Sequence, residues 1–199
     1  MAKTRAEKME ETRIKLIAAG RKAFAEKGFA SASMDELTAG AGLTRGALYH
    51  NFGDKRGLMA AVVDQIDTEM ATAAQKAGQA AGGGWQGLMA EGAAYIKLAL
   101  EPEVQRIVLL DGPAVLGDPS QWPSQNRCLQ ATIVTLGELA EKDAIKPVNI
   151  EAIARLLNGA ALNSALWVAA SDDPHTTFGK AVTAFECLAS GVLKTPETD

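Results

Sequence analysis

Residues 33–55 read SMDELTAGAGLTRGALYHNFGDK, and this stretch decides the fold. Ser33 followed by Glu36 is a capping-box pattern, in which hydroxyl and carboxylate satisfy each other's backbone donors and start a helix. That helix is short, because Gly40 and Gly42 arrive quickly. Leu43-Thr44 then supplies a fresh apolar anchor and N-cap for a third helix, Arg45 to about Asn51. Leu37, Leu43, Leu48 and Phe52 are placed to lock the two short helices at a steep angle, the order of a helix-turn-helix.

In that motif the second helix enters the major groove of DNA, about 12 Å wide, with its first residues facing base edges. Thr44, Arg45 and Gly46 occupy that leading end. Thr44 can offer a hydroxyl or a helix N-terminus to a phosphate, Arg45 carries the planar fork that pairs with guanine, and Gly46 lets the backbone come close. Tyr49 lies four residues from Arg45 on the same face, with His50 and Asn51 beside it, Lys55 opening the next helix and Ser33 heading the previous one. The competing readings are ordinary solvated charges for Arg45 and Lys55, a core aromatic for Tyr49 and an unpartnered surface residue for His50. Lys3, Arg5 and Lys8 form either a minor-groove arm or a frayed terminus.

Outward from this stretch the pattern is helical throughout. Upstream, Ile14, Ile17 and Phe24, with Leu16 and Ala25, form a 3.6-residue stripe that ends at Gly28, behind which Phe29 can fold back. Downstream, Asp54 caps a helix from Lys55 to about Lys76 with Leu58, Val62 and Ile66 at four-residue spacing, followed by a Gly/Ala turn over Gly78 to Gly84. Trp85 to Leu100 is helical and stops at Glu101-Pro102. Val104 to Leu110 is a further run, ending at Asp111-Gly112-Pro113. A Pro- and Gly-rich stretch from Gly117 to Pro123 leads into a helix carrying Leu129, Ile133, Leu136 and Leu139. Asn149 caps Ile150 to Ala170, and Asp173-Pro174 starts the last helix, to about Lys194. The expectation is an all-α protein of about nine helices, with a helix-turn-helix DNA-binding head over 1–56 and a larger helical regulatory body over 57–199.

Composition agrees. The chain of 199 residues has 47% hydrophobic residues, 37 alanines and 7 prolines, which favours helices and a real core over disorder or β structure. Its net charge of −4 divides into +4 over residues 1–56 and −8 over the rest, a basic end suited to a polyanion. The longest uncharged stretch, Leu156 to Ser171, is 16 residues, short of the roughly 20 of a membrane span. The opening MAKTRAEKMEETR has no apolar signal core, so a cytoplasmic location and no membrane are expected. Cys128 and Cys187 are far apart and read as small core residues. With only His50 and His175, and without HExxH, GxSxG, Walker A or GxGxxG signatures, no metal, cofactor or catalytic residue is expected.

From Thr12 to Leu58, TRIKLIAAGRKAFAEKGFASASMDELTAGAGLTRGALYHNFGDKRGL resembles the DNA-binding domain of the TetR-type (tetracycline-repressor-like) bacterial transcriptional regulators, with Gly28-Phe29, Gly42-Leu43 and Leu48-Tyr49 in the matching places. One departure is His50-Asn51-Phe52, where the commoner pattern has His directly before Phe. The resemblance implies that Tyr49 and Lys55 hold phosphates, Arg45 reads bases and Thr44 helps at the backbone. It also implies a second half that binds a small inducer and forms the homodimer.

In that half, Trp85, Met89, Tyr95, Trp122 and Trp167 are candidates to line an apolar cavity or are simply core. Asp111 either offers a carboxylate to that cavity or shapes a helix end. Leu162, Leu166, Phe185, Leu188 and Val192, on the last two helices with their small residues, are the candidate dimer interface. The expected function is a repressor released from a palindromic operator by a small apolar or amphipathic effector. Its rivals are a ligand-free helix-turn-helix dimer controlled by a protein partner, and a helical enzyme.

Overall fold

The structure, a computed structural model, describes residues 4–194, so Lys3 of the candidate arm and the tail Thr195–Asp199 lie outside the described residues. Among these are nine α-helices: α1 (Arg5–Ser31), α2 (Met34–Gly40), α3 (Arg45–Phe52), α4 (Lys55–Ala80), α5 (Gly84–Leu98), α6 (Gly112–Leu116), α7 (Pro123–Glu141), α8 (Ile150–Ala169) and α9 (Pro174–Ser190). A π-helical segment, Val104–Asp111, precedes α6, and a 3₁₀ turn, Pro119–Gln121, precedes α7. The chain divides into two compact units. One joins the residues up to Asp67 with Pro102–Pro119; the other joins Thr68–Glu101 with the chain from Ser120 onward. The segment 102–119, expected in the body, therefore packs with the N-terminal helices.

In the first unit the helix starts follow the caps in the sequence. Thr4, Ser33 and Thr44 each accept a backbone N–H at the head of α1, α2 and α3, and Glu7 and Glu36 complete capping boxes on the first two. Gly28, at φ 77°, breaks α1 where the sequence places the break, and an added Cβ there would strike the Arg106 guanidinium. Phe29 folds back with its ring centroid 5.7 Å from that of Phe24. The buried stripe of α1 is Leu16, Gly20 and Phe24, whereas Ile14 is exposed, a correction to the expected phase. Gly20 sets that phase: its backbone lies against Leu58 and Val62 of α4, leaving no room for a larger residue.

Leu37 of α2 and Leu48 of α3 are fully buried and fix the two helices to the unit. The corner between α3 and α4 is equally tight, since a Cβ on Gly57 would run into the Phe52 carbonyl. Gly112-Pro113, read as a stop, instead carries the chain into α6, because proline in a first helical turn forfeits no intrahelical hydrogen bond.

In the second unit α5, α7, α8 and α9 pack around Leu88, Leu129, Leu136, Leu139, Leu157 and Val192. Asn149 and Asp173 cap α8 and α9. Ala154, Ala161 and Ala165 on α8, and Ala181 and Ala189 on α9, are buried and let these helices approach closely. An isolated antiparallel bridge, Ile145 to Leu193, fastens the end of α9 to the loop between α7 and α8. Cys128 is partly buried and Cys187 exposed, so Cys187 is not the core residue expected. No described helix is long and apolar enough to cross a membrane.

Candidate functional site

The helix-turn-helix presents one polar face. Leu48 faces inward, while Thr44, Arg45, Gly46, Tyr49 and His50 of α3 are exposed, with Tyr49 showing 55% of its surface. Thr44 Oγ1 accepts from the Ala47 amide at 3.3 Å, and Ser33 Oγ from the Glu36 amide at 3.2 Å, so both hydroxyls already cap helices. Gly46 has no side chain on the open side of the helix, where an added Cβ would come no nearer than 3.7 Å to any neighbour.

Arg45 makes a two-pronged contact: its Nε donates to Asp35 Oδ1 at 2.6 Å and its Nη2 to Oδ2 at 2.5 Å. The geometry is that of guanidinium on carboxylate, the same fork that fits the O6/N7 edge of guanine. The hydrogen bond from Arg45 holds the Asp35 carboxyl below its ordinary pKa, and the reciprocal bond raises that of Arg45. Asp35 was not among the sequence candidates; it lies on α2 next to the capping box, ten residues from its partner.

Asn51 turns back along its own helix, with Nδ2 donating to the Ala47 carbonyl at 2.8 Å. Lys55 Nζ sits 4.5 Å from the centre of the Phe29 ring and donates to the Ala30 carbonyl at 3.4 Å. Burial lowers its pKa. Behind this face, Lys27 and Glu36 pair at 2.6 Å, which raises the pKa of the first and lowers that of the second. Asp111 accepts the Phe29 amide at 2.7 Å, in the last turn of α1 just past the Gly28 break.

The second unit holds a cavity of about 80 Å3. Its walls come from Leu88, Glu91, Gly92 and Tyr95 of α5, Gln125, Cys128, Ala131 and Thr132 of α7, Leu157, Asn158 and Ala161 of α8, Phe185 of α9 and the later part of α4. Of the cavity candidates named from sequence, Tyr95 lines it. Trp85 and Met89 pack partly buried against the helical core, Trp122 is buried elsewhere, and Trp167 is half exposed. Asp111 belongs to the first unit.

Polar groups around the cavity pair with one another. Gln125 Nε2 donates to the Tyr95 hydroxyl at 3.1 Å, and Thr132 Oγ1 to Asn158 Oδ1 at 2.9 Å. Glu91 is the charged residue of the lining, and burial raises its carboxyl pKa. The sequence signal for it, a lone acid inside the apolar run GLMAEGAAYI, is weak by itself.

Of the candidate dimer residues, Leu188 is exposed and Leu162 and Leu166 are partly buried. Phe185 and Val192 are 4% and 6% exposed, so they face the interior of the unit and offer no outer surface. Leu156 and Trp167 of α8, at 67% and 50%, are exposed instead.

A unit built on a helix-turn-helix, joined to a second helical unit, is the plan of a DNA-binding transcriptional regulator. The family model of the tetR family of bacterial regulatory proteins matches residues 16–62, and that of the tetracyclin repressor-like C-terminal domain matches residues 85–192. The chain belongs to the TetR family, a family of transcriptional regulators and not of enzymes. It is similar to the crystal structure of a TetR-family transcriptional regulator from Pectobacterium atrosepticum, with TM-score 0.87 and 45% identity over 98% of this chain and 100% of that one. The transcriptional regulator TtgR of Pseudomonas putida is 35% identical over 66 residues, 33% of this chain and 31% of that protein, so that match spans about a third of it. RolR in complex with the ligand resorcinol shares the fold, with TM-score 0.65 and 18% identity over 96% of this chain and 99% of that one.

Proposed function

We propose that this protein is a sequence-specific DNA-binding repressor that acts as a homodimer on a palindromic operator and is released by a small effector bound in the second unit. The observation that carries this reading is the exposed face of α3, where Thr44, Arg45, Tyr49 and His50 stand clear of the buried Leu48. Arg45 reads a guanine, while Thr44, Tyr49 and Lys55 hold backbone phosphates. One recognition helix gives limited affinity. Two, brought together by symmetry, read major-groove half-sites about 34–36 Å apart. Leu156, Trp167 and Leu188 supply the apolar surface for that dimer on α8 and α9.

Control follows from linkage. An effector that binds the cavity more tightly in one conformation withdraws population from the other, and DNA weakens effector binding by the same factor. The chain offers a covalent route for this coupling. Glu91 and Tyr95 of α5 and Gln125 of α7 line the cavity, and the segment that joins these two helices contains Asp111, which holds the Phe29 amide in the first unit.

The test is selection of bound sequences from a random duplex library at two salt concentrations. An enriched palindrome with half-sites about one turn apart is expected. Enrichment of none at either salt overturns the proposal.

A further inference from the structure

The cavity of the second unit is lined by small and apolar side chains, by neutral polar groups and by one acid, Glu91. Among the neutral groups, Tyr95 pairs with Gln125 and Thr132 with Asn158. No lysine, arginine or histidine lines the same space, and among the described residues nothing hydrogen-bonds or ion-pairs with the Glu91 carboxylate.

Its surroundings disfavour a negative charge twice over. The side chain is partly withdrawn from water, which penalises the ionised form. It also lies against Gly78, where an added Cβ would collide with its Cγ and Oε1. Gly78 belongs to the last turn of α4, at the negative end of that helix's dipole. An acid so placed destabilises the empty protein, and a glutamine would fill the same space without that penalty. A positive charge entering the cavity removes both penalties at once.

The neighbouring residue adds an aromatic wall. Gly92 has no side chain, and the Phe185 ring occupies the space where one would stand. An aromatic ring lining the same cavity as a carboxylate is a second attractor for a cation and a seat for an apolar body.

We propose that this cavity takes a small organic cation, whose ammonium head pairs with the Glu91 carboxylate while its apolar body lies against Phe185 and Leu88. The inference rests on reading the cavity as the effector site and adds the chemical class of the effector. Size bounds it further. At about 80 Å3 the empty cavity is smaller than the roughly 150 Å3 that accepts benzene in an engineered protein core. The occupant is a single ring or a short branched chain, seated as Gln125 and Asn158 shift toward the hollow of about 250 Å3 that they also line.

The experiment titrates benzylamine, benzyl alcohol and benzoate into the full chain and into Glu91→Gln by calorimetry, with melting temperatures of both proteins. Benzylamine is expected to bind the wild type about 10- to 100-fold more tightly than benzyl alcohol, the range of a charge-assisted hydrogen bond. In Glu91→Gln that preference disappears while benzyl alcohol binds as before. Without ligand, the variant melts at the same temperature as the wild type or higher, whereas an acid with a structural partner would melt lower when replaced.

Benzyl alcohol or benzoate binding as well as benzylamine, or a preference that survives Glu91→Gln, overturns the cation assignment and leaves the cavity as effector site. Binding that survives Ala71→Phe, which fills the cavity from α4, places the compounds elsewhere and overturns the proposal. Failure of all three to bind contradicts both the cation and the cavity reading.

Discussion

Replacing Asp111 isolates a contact that joins distant parts of the sequence. Its Oδ2 accepts the Phe29 amide at 2.7 Å, 82 residues away, in the last turn of α1 just past the Gly28 break. The bond is charge-assisted, a class worth about 1.5–3 kcal/mol. The side chain is 29% exposed, and its cationic neighbour, Arg106, stands at 3.9 Å and is itself 47% exposed. Solvent screening therefore puts the loss in Asp111→Ala at the lower end, about 1.5 kcal/mol. Asp111→Asn keeps an acceptor oxygen in place and loses only the charge, so it is expected to lose less than half of that. For a chain of this length the alanine variant melts about 3–6 °C lower.

Because the chain forms two compact units, a global melting temperature mixes two events, and amide hydrogen exchange is the sharper assay. The Phe29 amide is expected to exchange about tenfold faster in Asp111→Ala, with amides of α8 unchanged. Equal behaviour of the alanine and asparagine variants, or undisturbed protection at Phe29, would refute the reasoning.

Three further outcomes are expected. Lys55→Ala lowers DNA affinity evenly across sequences and flattens its salt dependence by about one unit of slope, read by fluorescence anisotropy at several salt concentrations. The Asp35 carboxyl titrates below the usual aspartate range because Arg45 bonds its ionised form; its contribution is present above the unfolded pKa and is lost as pH falls through the folded one. An NMR titration should show that midpoint rising toward an ordinary value in Arg45→Ala. Gly57→Ala forces a methyl against the Phe52 carbonyl and destabilises the first unit by about 1–3 kcal/mol, measured by urea denaturation.

The helix-turn-helix is legible in the sequence because its determinants are local: Ser33-Glu36, Thr44 and Asp54 cap helices within four residues of themselves. Burial on α1 is not local. A stripe through Ile14 and one through Leu16 are nearly equivalent as patterns, and the choice falls to Gly20, which lets α4 approach. Large aromatics are poor markers of the cavity, because an open space is left where residues are small, and Ala71, Ala74, Ala131 and Ala161 line it. Trp122 and Trp85 fill volume instead. The sequence offers Asp111 as a cavity carboxylate or a helix-end residue and does not point to Phe29, because nothing in the neighbourhood of residue 111 specifies an amide 82 positions away. Phe185 is buried within its own unit, and the sequence does not show this because periodicity finds an apolar stripe without saying whether its own unit or a second copy covers it.

The central claim is that Arg45 of α3 reads DNA as part of a symmetric pair. Parallel selections from a random duplex library, with wild type and Arg45→Ala, test it most directly. The wild type should enrich a palindrome, and the variant should keep its spacing while losing preference at one base pair in each half-site, symmetrically, by roughly tenfold. Identical motifs from the two proteins, or a uniform loss over all positions, would contradict it.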